Sequence, residues 1–95
     1  MKRFRLSPEA AQDIREIWAY IADDSIKAAR HIRLQILDAC QRIAENPGIG
    51  HSREDITEKP VLFWPTGSYL IVYAPRKPVE IVRVLHGARD LPGLL

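Results

Sequence analysis

Four ionisable side chains crowd the end of this chain. The stretch Ile81-Val82-Arg83-Val84-Leu85-His86-Gly87-Ala88-Arg89-Asp90-Leu91 begins as an apolar strand, then sets His86, Arg89 and Asp90 around Gly87, where the strand should end. An imidazole titrates near neutrality and a guanidinium is a fixed cation. Arg83, His86 and Arg89 therefore have the chemistry to move a proton and stabilise an oxyanion on a phosphodiester, or simply to bind anions. The competing reading is structural: Arg83 solvated on its strand, with Asp90 capping the final turn or pairing with Arg89. Spacing counts against a ready-made catalytic pair. Residues three apart on one strand face opposite sides unless the strand ends or bulges before His86.

Other candidates lie upstream. His51-Ser52-Arg53 offers a second imidazole and cation in a loop, where Arg53 either contacts a partner or is solvated. Tyr69 and Tyr73 are able to stack on bases, although aromatics on a strand commonly serve cross-strand packing. Trp18 and Trp64 read as core or interface anchors, and His31, among Lys27, Arg30 and Arg33, as a surface residue. Metal-ligand spacing, a Gly-rich phosphate loop and a Ser or Cys nucleophile with a nearby base are not evident, so neither metal nor cofactor is expected.

These side chains depend on the elements that hold them. Lys2 to Leu6 alternates as a short strand. Ser7-Pro8-Glu9 opens a helix, with Ser7 as cap and Pro8 at the first helical position. Ala10, Ile14, Ile17, Trp18 and Ile21 form its apolar stripe, leaving Gln12, Asp13, Arg15 and Glu16 on the opposite, solvated face. Asp23-Asp24-Ser25 interrupts. A second helix follows from about Ile26 to Glu45, with Ala29, Ile32, Ile36, Ala39, Cys40 and Ile43 inward, and Asn46-Pro47-Gly48 stops it. So short a connection predicts an antiparallel helix hairpin.

Gly48 to Pro60 reads as loop. Val61 to Trp64, ended by Pro65, then Ser68 to Ala74 and Val79 to Leu85 read as strands joined by short turns, hence an antiparallel meander. Alternation puts Leu70, Val72 and Ala74 on one face and Tyr69, Ile71 and Tyr73 on the other, with Ile81, Arg83 and Leu85 sharing a face of the last strand. The expectation is an α+β domain over residues 1–95, ordered β-α-α-β-β-β. The helix hairpin covers one face of a mainly antiparallel sheet. The other face is left partly open, with tyrosines and an arginine on it.

Composition sets the bounds. Ninety-five residues, 46% apolar, suffice for a core but leave some apolar surface for a partner. The formal charge is +2 with both signs mixed along the length, which does not suggest a nucleic-acid tail. The single cysteine, Cys40, excludes an internal disulfide and falls on the apolar stripe of a helix. With neither a signal-peptide h-region nor an apolar run of membrane length, the expected location is cytoplasmic.

The combined pattern resembles a known family. Ser7-Pro8-Glu9-Ala10-Ala11, Asp13-Ile14-Arg15-Glu16-Ile17-Trp18 with Tyr20-Ile21, Ile43-Ala44-Glu45-Asn46-Pro47-Gly48-Ile49-Gly50, and the tail from Val79 to Leu91 together resemble the ParE-type toxins of bacterial type II toxin–antitoxin systems. The resemblance covers essentially the whole chain, in order. It implies the RelE/ParE superfamily arrangement and a toxin neutralised by a cognate ParD-like antitoxin. That antitoxin would have a DNA-binding N-terminus and a disordered tail that wraps the helix hairpin and sheet. Operator DNA would be met only through the antitoxin.

The superfamily divides by mechanism. RelE-type members are ribosome-dependent mRNA endonucleases that rely on basic residues; ParE-type members inhibit DNA gyrase by binding. Arg83 is the one basic residue mid-strand in the predicted meander, so the resemblance favours a gyrase inhibitor without chemistry of its own. An mRNA endonuclease and a non-toxic, antitoxin-binding co-repressor are the alternatives. The candidates for contact with target or antitoxin are Trp18, Arg53, Tyr69, Tyr73, Arg83, His86, Arg89 and Asp90.

Overall fold

The computed structural model describes residues 3–87, together with 91, 93 and 95. The chain runs β1 (Phe4–Leu6), α1 (Pro8–Ala22), α2 (Ile26–Glu45), β2 (Leu62–Thr66), β3 (Tyr69–Ala74) and β4 (Val79–His86). Each helix begins where its cap demands. The Ser7 hydroxyl accepts the Ala10 N–H at 2.9 Å and donates to the Val82 carbonyl at 2.7 Å, so one side chain both starts α1 and ties it to the sheet. The Ser25 hydroxyl accepts the Ala28 N–H at 3.1 Å and starts α2. The Asn46 N–H closes α2 on the Arg42 carbonyl at 3.0 Å.

The four strands form one sheet in the order β1-β4-β3-β2. The meander β2–β3–β4 is antiparallel, as expected, with Gly67 at φ +58° in the first turn. Strand β1 lies parallel to β4, pairing Phe4, Arg5 and Leu6 with Val79, Glu80 and Ile81. Pro65 does not end β2: it pairs with Leu70, and the strand continues to Thr66. Strand β2 is at the sheet edge, where a residue without an N–H is tolerated.

The helices pack Ala10, Ile14, Ile36, Ala39, Cys40 and Ile43 against Ile71, Tyr73, Ile81 and Val84. The other face of the sheet holds a second core: Phe63, Leu70, Val72 and Leu85, covered by Ile56 of the long loop and by Leu91. This corrects the expected open face. Both tyrosines lie on the helix side, and the opposite face is closed because its apolar side chains need cover that the loop supplies.

The even alternation of β4 is also corrected. Val72 pairs with Arg83 but Tyr73 pairs with Ile81, so Val82 is an extra residue in the strand. The bulge places Ile81 and Val84 together on the helix side, with Val82 and Leu85 on the other. No helix among the described residues is long and apolar enough to cross a membrane.

Candidate functional site

The flank of α1 that faces β4 carries a polar cluster built on Asp13 and Arg83. Asp13, expected on the solvated face, is instead 9% exposed. Its carboxylate accepts from Arg83 Nε at 2.8 Å and Nη2 at 3.0 Å, and from the backbone N–H of Val84 at 2.9 Å. The bulge in β4 allows this, because it releases Arg83 from strict alternation beside an edge that β1 is too short to cover. The hydrogen bonds that Arg83 donates to Asp13 raise its pKa further, against the opposing effect of burial; Glu9 and Glu16 add to the same field. Arg83 is therefore a permanent cation held in a two-point clamp.

Beside the clamp lies a groove of about 460 Å³, lined by Asp13, Glu16, Ile17, Tyr20, Tyr69, Val84 and His86. Tyr69 and His86, paired across β3 and β4, meet edge to face with ring centroids 5.5 Å apart. Burial raises the Tyr69 pKa, as does the nearby Tyr20. Arg83 and His86, expected on opposite faces, thus both border α1: Arg83 through Asp13, His86 through the groove. Asp13, Glu16 and Tyr20 were not among the sequence candidates. Their signal was the spacing of Glu9, Asp13, Glu16 and Tyr20, one stripe along the flank of a helix.

The remaining candidates separate. Tyr73 is fully buried, so it cannot stack on a ligand. Its hydroxyl donates to the Pro47 carbonyl at 2.7 Å and accepts the Gly50 N–H at 2.9 Å, fastening the chain after α2 to the sheet. Arg53 lies in the loop that crosses the other face, exposed and bonded to Asp55 at 3.0 and 2.8 Å. Trp18 is half-buried on the outer side of the hairpin, near Arg15, Arg30 and Arg33. Arg89 and Asp90 lie outside the described residues. Among the described residues no group of three or more His, Cys, Asp or Glu side chains is arranged to hold a metal.

Chemically, the cluster suits recognition. The Arg83 guanidinium is bonded to the Asp13 carboxylate, and Glu16 adds a second negative charge to the lining of the adjacent groove.

Comparison with known proteins agrees with the fold and the sequence pattern. Residues 4–91 match the model of the ParE toxin of type II toxin–antitoxin systems, parDE. Toxin ParE1 of Caulobacter vibrioides is 32% identical over 87 residues, covering 90% of each chain. The protein Y4kP of Sinorhizobium fredii is 34% identical over 95 residues, covering 99% of this chain and 97% of that one. A chain of the chromosomal ParDE toxin–antitoxin system from P. aeruginosa superposes with a TM-score of 0.72 over 90% of this chain and 96% of that chain; at 18% identity this is a likeness of fold. On the family match across nearly its whole length, the chain belongs to the ParE toxins of type II toxin–antitoxin systems.

Proposed function

We propose that this toxin inhibits DNA gyrase by binding it and is neutralised by a cognate ParD-like antitoxin. The family resemblance supplies the target. The observation that bears on mechanism is the Asp13–Arg83 clamp: the cation on which an acid–base mechanism would depend is neutralised inside the fold. That weighs against the RelE-type endonuclease, which needs a basic surface for RNA. Surface left for a wrapping antitoxin tail includes Tyr20 at 83%, Leu34 at 64% and Ile26 at 54% exposure, apolar groups that gain by being covered. Operator DNA would be reached through the antitoxin, and the setting would be the cytoplasm, where gyrase works.

The test is a supercoiling assay with purified gyrase and toxin. Dose-dependent loss of supercoiling is expected, and undiminished supercoiling at saturating toxin would overturn the proposal. Adding the protein encoded beside the toxin should restore supercoiling.

A further inference from the structure

Val82, the extra residue of the bulge in β4, has no partner in the β3–β4 register. In a regular strand successive carbonyls point to opposite edges. Here the Ile81 and Val82 carbonyls both turn toward Ser7, at the junction of β1 and α1. The Ser7 backbone N–H donates to Ile81 at 2.9 Å, and its hydroxyl donates to Val82 at 2.7 Å. The same hydroxyl accepts the Ala10 N–H at 2.9 Å, so its single proton serves the bulge and a lone pair serves the helix. Ser7 is 8% exposed, so a donor lost here is poorly replaced by water.

The competing arrangement is β4 without the bulge. Pulling Val82 back into the ladder shifts every later residue of the strand by one, and such a shift exchanges the two faces. Val84 and His86 would leave the α1 side, and Leu85 would leave the second core for it. Val82, Val84 and Leu85 are all apolar, so composition discriminates weakly between the two registers. A residue that holds two neighbouring carbonyls on one edge favours only the bulged one. Asp13 secures the residues after the bulge; Ser7 secures the bulge itself.

We infer that Ser7 is a positioning residue for the outer end of β4: its hydroxyl fixes the bulged register and thereby sets Arg83, Val84 and His86 beside α1. The consequence for inhibition rests on the reading of this chain as a toxin that binds gyrase.

The test separates the bond to the bulge from the cap on the helix. Ser7→Gly keeps a good capping residue but removes the donor to Val82. Ser25→Gly makes the same change at the cap of α2, which has no printed bond to the sheet. Ser7→Thr keeps the hydroxyl. Nitrogen–proton NMR spectra are recorded at a temperature where thermal melts show each variant folded. In Ser7→Gly the Val84 N–H and Arg83 Nε–H resonances should move, and exchange protection of the Val84 N–H should fall by about tenfold or more. Half-inhibition of supercoiling should need about tenfold more folded toxin. Ser25→Gly and Ser7→Thr should match the wild type in all three readouts.

Unmoved Val84 and Arg83 resonances in Ser7→Gly, equal changes in Ser25→Gly, or failure of Ser7→Thr to preserve the wild-type spectrum overturns the inference. The spectra are recorded without gyrase. A wild-type toxin that leaves supercoiling undiminished therefore counts against the proposed target, while the resonances still decide the role of Ser7.

Discussion

Asp13 of α1 grips Arg83 of β4 across seventy residues of chain, at 2.8 and 3.0 Å, and the same carboxylate takes the Val84 N–H at 2.9 Å. Three donors on one carboxylate pin the first helix to β4 just beyond its bulge. Asp13→Ala removes two acceptors from the Arg83 guanidinium and the acceptor of the buried Val84 N–H, and should cost about 2–3 kcal/mol in urea denaturation. Combined with Arg83→Ala in a double-mutant cycle, it should show coupling above about 1 kcal/mol. Additivity of the two single changes would mean that the clamp is incidental.

His86 and Arg83 should part company in function and stability. His86 is exposed at the end of β4, and its edge contact with Tyr69 is worth about 0.5–1.5 kcal/mol. His86→Ala should leave the fold nearly as stable while reducing inhibition of supercoiling. Arg83→Ala should lower both together. Full inhibition by folded His86→Ala would remove the groove beside α1 from the target-binding surface.

Tyr73 should behave as a structural clasp. Tyr73→Phe keeps the ring in the core but loses the bond to Pro47 and leaves the Gly50 N–H without its acceptor. A loss of about 1–2 kcal/mol is expected. Inhibition per folded molecule should be unchanged. Gly50→Ala should also destabilise, because its Cβ would sit 2.7 Å from the Tyr73 hydroxyl and 2.9 Å from the Phe63 carbonyl oxygen. If Tyr73→Phe were stable yet inactive against gyrase, the phenol would belong to recognition after all.

Cys40 should make the fold sensitive to alkali. Burial pushes its thiol from 9.0 up to about 12. Below pH 9 the folded and unfolded chains both hold the proton. Between about 9 and 12 the unfolded chain loses it first, so stability falls as pH rises through that window. Urea midpoints followed upward from pH 8 should drop more steeply for the wild type than for Cys40→Ala. At neutral pH the thiol should react with maleimide only on unfolding. Parallel pH profiles would mean that the thiol is not desolvated.

Local chemistry was readable from the sequence wherever local chemistry decides. Ser7-Pro8, Ser25 and Asn46 bound the helices because capping is satisfied within one turn. Gly67 and the short connections produce the meander because two extended segments so joined must run antiparallel. The family pattern was legible too, being spread along the whole chain.

Tertiary structure alone decided which face of each element is used. Periodicity says that Leu70 and Val72 share a side and Tyr69 and Tyr73 the other, but not which side the hairpin covers. That depends on how the helices and the long loop divide the two faces of the sheet. One inserted residue, Val82, then shifted the faces of β4 without disturbing its apolar composition. Asp13 looked solvated because a carboxylate beside an apolar stripe ordinarily is. Its burial depends on a guanidinium and a backbone N–H that the fold delivers from the far end of the chain, contacts that no local pattern around Asp13 encodes.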